Sequence, residues 1–298
     1  MNAITPVCVW QAGAQLGEGP VWVARERSIY FVDIKLCQVH RFNVDTGERR
    51  SWRAPAQPGF VVPHEEGSML AGLQGGLYRF TPEDGGFVLA LPVETDQPGN
   101  RLNDGYVDAQ GRLWFGSMDD AETSHTGVLY RADADADGTV SAQDRGYVIT
   151  NGPAMSPDGC TLYHVDTLRR AIYAFDVADD GELTRRRLFA AHLEPGYPDG
   201  LAVDSQGYVW SASFGGGRIE RYAPDGTSVG RVVFPCSNVT KLAFGGDDLC
   251  TVYATTARKG LDAGALAREP LAGGLFSFRV PVKGQTQALC RVAVGSFT

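Results

Sequence analysis

The chain has 298 residues, with 27 Lys and Arg against 35 Asp and Glu, a formal net charge of −8, and 43% hydrophobic residues. That much apolar content excludes a disordered chain, and the acidic balance excludes a phosphate-neutralising face for nucleic acid. With 37 glycines and 16 prolines, the composition points to short strands joined by many turns, an all-β domain.

In chain order the first element is a short strand, Val7-Cys8-Val9-Trp10. A pair of apolar-aromatic segments then recurs along the chain. The pairs are Ile29-Tyr30-Phe31 with Val39-His40-Arg41-Phe42, Met69-Leu70-Ala71 with Leu77-Tyr78-Arg79-Phe80, and Leu113-Trp114-Phe115 with Leu129-Tyr130-Arg131. They continue as Leu162-Tyr163-His164 with Ile172-Tyr173-Ala174-Phe175, Val209-Trp210-Ser211 with Ile219-Glu220-Arg221-Tyr222, and Val252-Tyr253-Ala254 with Leu275-Phe276-Ser277-Phe278. Turn tripeptides such as Asp45-Thr46-Gly47, Pro157-Asp158-Gly159 and Pro224-Asp225-Gly226 punctuate them. The first members lie about 40 to 49 residues apart, the repeat length of a propeller blade. The expectation is a six-bladed β-propeller, one domain over residues 1–298, with Val7–Trp10 closing the last blade because a ring must hide its edges. Two blades carry insertions, Met118–Gly127 in the third and Ala257–Gly273 in the sixth. In the second of these, Leu261–Arg268 is long enough for a turn or two of helix before Pro270. Long loops on a rigid ring rim a binding site.

Ahead of the first segment of four blades stand Leu16-Gly17-Glu18-Gly19-Pro20, Arg101-Leu102-Asn103-Asp104-Gly105, Thr150-Asn151-Gly152-Pro153 and Tyr197-Pro198-Asp199-Gly200. Each puts an oxygen-bearing side chain at the same place in the repeat, and a fifth segment, Ser237-Asn238-Val239-Thr240, keeps the oxygen without the glycine. Equivalent positions of a ring converge on its axis, so Glu18, Asn103, Asn151 and Asp199 are expected to form an all-oxygen cluster. Taken singly, Asn-Gly and Asp-Gly are ordinary turn dipeptides, but Glu18 has no turn role. Clustered buried carboxylates need a neutralising partner, and carboxylates with amide oxygens suit a hard divalent cation: Ca²⁺, Mg²⁺ or Mn²⁺, with Zn²⁺ and Fe²⁺ still open.

These segments together resemble the signature of the senescence-marker-protein-30/gluconolactonase (SMP-30, regucalcin-like) family, over essentially the whole chain. Tyr163-His164-Val165-Asp166-Thr167 and Thr255-Thr256-Ala257-Arg258-Lys259-Gly260-Leu261 are most similar to its bacterial sugar-acid lactonases, xylonolactonase above all. The resemblance implies one divalent metal on Glu18, Asn151 and Asp199, and a sugar lactone bound by Arg101 and Asn103. Some members add a glutamate after a Gly-Thr-Met stretch; here that stretch is Gly116-Ser117-Met118-Asp119-Asp120-Ala121-Glu122, so the counterpart is Asp120 or Glu122. The implied activity is metal-dependent opening of an aldonolactone, a pentonolactone such as xylonolactone favoured and gluconolactone possible. The metal would serve as Lewis acid and Asp199 as general base. The alternative is a Ca²⁺-binding regulatory propeller without turnover. Arg101 and Asn103 separate the two, since a metal buffer needs neither.

Several other features carry less. No Gly-x-Ser-x-Gly elbow exists, and the five histidines have no triad-like setting, which argues against a serine hydrolase. The Asp133–Asp144 segment has EF-hand-like spacing, but strands flank it and Asp144 stands where a Glu is usual. Phe214-Gly215-Gly216-Gly217 opens no helix, and Arg185-Arg186-Arg187 reads as one exposed turn edge. The six scattered cysteines show no CxxC pair and read as reduced and mostly buried. No apolar run reaches the roughly 18 residues of a membrane span, and Met1–Trp10 lacks the pattern of a secretion signal. The expected protein is a cytoplasmic monomer acting on a small-molecule sugar lactone, with no nucleic acid and no membrane as partner.

Overall fold

The structure, a computed structural model, describes residues 4–134, 138–192 and 194–293. After β1 (Val7–Trp10), blade 1 is β2 (Gly17–Val23), β3 (Ser28–Asp33), β4 (Gln38–Asn43) and β5 (Arg49–Arg53). Blade 2 is β6 (Pro58–Pro63), β7 (Met69–Leu73), β8 (Gly76–Thr81) and β9 (Gly86–Pro92). Blade 3 is β10 (Asn100–Val107), β11 (Leu113–Asp119), β12 (Gly127–Ala132) and β13 (Val140–Tyr147). Blade 4 is β14 (Thr150–Met155), β15 (Thr161–Asp166), β16 (Ala171–Val177) and β17 (Leu183–Ala191). Blade 5 is β18 (Tyr197–Val203), β19 (Val209–Phe214), β20 (Arg218–Tyr222) and β21 (Ser228–Val233). Blade 6 is β22 (Val239–Gly245), β23 (Thr251–Thr256) and β24 (Leu275–Arg279), and β1 completes it. The chain is thus a six-bladed β-propeller closed by its N-terminal strand, with Val7 opposite Ser277 and Cys8 opposite Phe276 in an antiparallel pair.

The middle strands read as unbroken apolar runs because both faces of every blade are covered. In β3, Ile29 and Phe31 pack toward blade 6 with Tyr253 and Leu275, whereas Tyr30 and Val32 pack toward blade 2 with Met69 and Phe80. Side chains alternate between faces, and each face meets a neighbour, so both parities are apolar. The apolar clusters of the described residues each lie between two adjacent blades. The outermost strands have one edge in solvent, and β5 and β21 are exposed at all but one position.

The far ends of two inner strands carry the same turn. Asp108 Oδ1 accepts from the Gln110 and Arg112 amides at 3.0 Å each, while Oδ2 accepts from Trp114 Nε1 at 2.8 Å. Asp204 repeats this with the Gln206 amide at 3.0 Å, the Tyr208 amide at 3.1 Å and Trp210 Nε1 at 2.9 Å. After β24 the chain crosses this face as a strap. Gly284 N–H donates to Leu249 O at 2.9 Å, Gln285 Nε2 to Met155 O at 2.9 Å, and Cys290 N–H to Pro63 O at 2.8 Å. The strap thereby ties blades 6, 4 and 2 together.

The helix expected within Leu261–Arg268 is present as α1 (Ala263–Arg268), its first turn capped by Asp262, whose carboxylate accepts from the Ala265 amide at 2.7 Å. Two smaller expectations need correction, and a third lies partly beyond what the structure describes. Arg185–Arg187 belong to the outermost strand β17, where Arg185 and Arg187 bind Asp176 and Arg186 binds Asp144. The six cysteines are all free, but only Cys236 and Cys290 are buried, and Cys160 is exposed. Asp135–Asp137 of the acidic loop lie outside the described residues. Of the rest, Asp133 binds Arg131 at 2.7 Å and Asp144 accepts from Tyr147. Among the described residues no helix is long and apolar enough to cross a membrane.

Candidate active site

Every innermost strand loses register at the same height. The break falls between Glu18 and Val21, Pro58 and Phe60, Leu102 and Gly105, Asn151 and Ala154, Pro198 and Leu201, and Val239 and Lys241. A bulge inserts an unpaired residue and re-aims the side chains beside it. The motif glycines serve this kink: Gly152 has φ +69°, a region that strains residues with a β-carbon. Blade 2 differs, because a β-carbon on Gly59 would lie 2.3 Å from the Asn103 carbonyl oxygen. Its bulge is closed against blade 3 and presents no side chain.

Glu18, Arg101, Asn103, Glu122, Asn151 and Asp199 all line one cavity of about 230 Å³ at the mouth of the ring. Apart from Glu122 they are buried. Arg101 Nη1 donates to Asn103 Oδ1 at 2.5 Å, and Asn103 Nδ2 donates to Asn151 Oδ1 at 2.9 Å. Asn151 Nδ2 in turn donates to Thr167 Oγ1 at 2.9 Å. Between Asp120 and Glu122 the geometry is unequal. Glu122 faces the cavity, whereas Asp120 lies behind Arg101, accepting from its Nε at 2.7 Å, from Lys35 Nζ at 2.6 Å and from Gln57 Nε2 at 3.1 Å. Burial raises the Asp120 carboxyl, but these donors outweigh it and hold it well below the usual range.

Asn238 does not join the cluster. Its Oδ1 accepts from the Gly215 amide at 3.1 Å and its Nδ2 donates to the Lys259 carbonyl at 2.9 Å, so it braces two loops. The residue at the blade 6 bulge is Thr240, whose hydroxyl donates to Gly17 O at 2.6 Å. Two lysines escaped the sequence reading. Lys241 on β22 reaches across the channel to Asp104, and Lys259 from the blade 6 insertion pairs with Glu122 in the cavity. Lys259 stood in a quoted segment of an insertion expected to rim the site; nothing in the sequence marked Lys241.

The carboxylates are the electrostatic centre. Burial, then the neighbouring charge of Asp104, pushes Glu18 up to about 8. Burial, then Glu18 and Asp104, raises Asp199 well above the usual carboxylate range. Asp104 is raised by burial and pulled back by the Lys241 ammonium. Among the described residues neither Glu18 nor Asp199 has a Lys or Arg partner, and the one hydrogen bond to either is from the Gly19 amide to Glu18 Oε2 at 2.9 Å. No group of three or more His, Cys, Asp and Glu that could hold a metal occurs among the described residues. The Asn151 amide lines the same cavity as the two carboxylates. Two unpaired buried carboxylates that repel one another, with an amide oxygen in the same cavity, fit a hard divalent cation.

The chain is 36% identical over 284 residues to 6-deoxy-6-sulfogluconolactonase of Pseudomonas putida, covering 95% of this chain and 97% of that one. It is 34% identical to pentonolactonase XacC of Haloferax volcanii, covering 98% of this chain and 100% of that one. The solved structure of a calcium-binding protein, regucalcin, from Agrobacterium tumefaciens superposes with a TM-score of 0.92 at 28% identity, over 96% of this chain and 97% of that one. The sequence pattern of the SMP-30/gluconolactonase/LRE-like region matches residues 16–258, from the start of blade 1 to Arg258 in the blade 6 insertion, and the chain belongs to that family.

Proposed function

We propose that this protein hydrolyses sugar lactones, opening an aldonolactone to the aldonic acid, with a pentonolactone such as xylonolactone as the favoured substrate and gluconolactone as a further one. The observation that carries this is the gathering of Glu18, Arg101, Asn103, Glu122, Asn151 and Asp199 around one small cavity. A volume of about 230 Å³ suits a single sugar ring, and family relatives are named as sugar lactonases. A calcium-storing propeller would have no use for the Arg101–Asn103 pair beside its carboxylates.

A divalent ion held by Glu18, Asn151 and Asp199 supplies Lewis-acid polarisation of the lactone carbonyl when bound. The chain's own groups do the rest. Asp199 takes the proton of the attacking water at a carboxylate oxygen and returns it to the ring oxygen as the C–O bond breaks. Arg101, fixed by Asp120, and Asn103 hold ring hydroxyls so that the carbonyl carbon faces Asp199. The same reading takes the protein as a cytoplasmic monomer, in keeping with six free cysteines. The test is hydrolysis of a panel of pentono- and hexonolactones, corrected for spontaneous opening, before and after exhaustive chelation. Activity on at least one lactone that chelation removes and a divalent ion restores is expected. Full activity in a sample shown metal-free by elemental analysis overturns the metal's role.

A further inference from the structure

We propose that Glu122 and Lys259 act as a charge filter at the mouth of the cavity, admitting lactones with a neutral hydroxylated tail and turning away those whose tail carries a fixed negative charge. The inference rests on the lactonase reading and names the substrate class within it. Glu122 comes from the loop that lengthens blade 3, and Lys259 from the loop that lengthens blade 6. Blades 3 and 6 lie opposite in a six-fold ring, so the ion pair bridges the opening from both sides. Each side chain is 32% exposed, and both line the cavity that holds Glu18 and Asp199.

Both ends of the bridge are built rigidly. The Lys259 amide donates to Gln15 O at 2.8 Å, and its carbonyl accepts from Asn238 Nδ2 at 2.9 Å. Glu122 sits at φ +60° in a turn where its amide donates to Asp119 O at 3.0 Å. The Asp119 carboxylate clamps that turn, accepting from the Thr123 amide at 3.0 Å and the Ser124 amide at 2.8 Å. An anionic tail seeking Lys259 must therefore displace a carboxylate tethered at high effective concentration, and it meets that carboxylate's repulsion on the way. The other lining cation, Arg101, is already held by Asp120. A neutral tail faces no such competition. One contact leaves the ammonium two donors and the carboxylate most of its acceptor sites, and hydroxyls match both.

The experiment measures kcat/KM for a neutral hexonolactone and for the same lactone with its terminal hydroxyl replaced by sulfonate. The proteins compared are wild type, Glu122→Gln, Lys259→Met and the double variant, each with its melting temperature recorded. The wild type is expected to favour the neutral lactone by about tenfold or more, and Glu122→Gln to move that ratio about 10- to 100-fold toward the sulfonate by freeing the lysine. The double variant loses the shift, since the attracting cation is gone. A ratio unchanged by Glu122→Gln in a folded enzyme, or a wild-type preference for the sulfonate, overturns the filter and leaves the lactonase reading standing. Hydrolysis of neither compound by a wild type that opens a pentonolactone overturns the filter alone; a wild type that opens no pentono- or hexonolactone overturns the lactonase reading and the filter with it.

Discussion

At the mouth of the channel, buried carboxylates stand nearly without donors; at the far end of the same strands, buried carboxylates are saturated with them. Glu18 has the Gly19 amide and Asp199 has no hydrogen-bond donor among the described residues. Asp204 takes two amides, the Trp210 indole and Arg221 Nη2 at 2.7 Å, and Asp108 takes two amides, the Trp114 indole and Arg112 Nε at 2.7 Å. Burial is similar at both ends, so burial does not tell a site from a scaffold; the supply of donors does. A satisfied carboxylate fixes a turn. An unsatisfied one must find its counter-charge in a ligand, and the fold tolerates the pair at the mouth because the rest of the ring is well packed.

The comparison breaks most sharply at Asp199. Asp199→Asn keeps the size and one oxygen but removes the base, so turnover should fall by about 10² to 10⁴. The metal-free variant should melt no lower than the metal-free parent, because one of two repelling buried carboxylates is gone. Metal content must be measured on the same sample; near-normal kcat at full occupancy removes Asp199 from the mechanism. Asp204→Ala should behave in the opposite way. It strands two amides and an indole N–H, at a cost of about 2–4 kcal/mol, while kcat of the folded fraction stays unchanged. A large loss of kcat in folded Asp204→Ala would mean that the two ends are coupled.

The difference between the ends also governs what the sequence discloses. The two middle strands of each blade announce themselves because both faces are buried, as at Leu113-Trp114-Phe115. The outermost strands, such as Arg49–Arg53 and Ser228–Val233, carry no apolar rhythm because solvent covers them, and the strap from Lys283 to Arg291 is held largely by backbone bonds, which leave no repeating side-chain pattern. At the site, residues carried by a bulge are legible because the bulge demands glycine beside them, as in Asn151-Gly152. Asn238 shows the limit of that rule: without the glycine, the same side chain type serves a loop brace instead. Lys241 and Lys259 act through partners more than a hundred residues away, Asp104 and Glu122, and no local pattern encodes such pairing.

Asn103 offers a finer cut within the mouth. Its carboxamide holds Arg101 on one side and Asn151 on the other. If it serves substrate binding through Arg101, Asn103→Ala should raise KM about tenfold with kcat within a few-fold of the parent, the pattern of lost uniform binding. Titrating metal into the stripped variant separates the alternative. A matching loss of metal affinity would move its role to orienting the Asn151 oxygen.

The smallest effect is expected between the two ends, in the body of blade 4. His164 on β15 is wholly buried, packs edge-on against Tyr147 at 4.9 Å between ring centroids, and finds no hydrogen-bond partner for either ring nitrogen. Burial, then the charge of Arg186, pushes it down to about 3. The folded protein therefore keeps the ring neutral, while the unfolded chain takes up a proton as pH falls below about 6.5. The sign follows: the unfolded state binds more protons between about 6.5 and 3, so stability declines as pH falls through that window, by up to about 1.4 kcal/mol per pH unit for this group. His164→Leu removes two unpaired buried polar atoms for a similar volume, so at pH 7 its melting temperature should match or slightly exceed the parent's. Its decline between pH 6.5 and 4.5 should be shallower, although His40 and His192, both lowered to about 4 mainly by burial, keep part of the slope. Thermal melts of the two proteins across that range decide it. A variant that melts well below the parent at pH 7, with an unchanged slope, would mean that the imidazole holds a partner such as a buried water and belongs with the saturated groups of the far end.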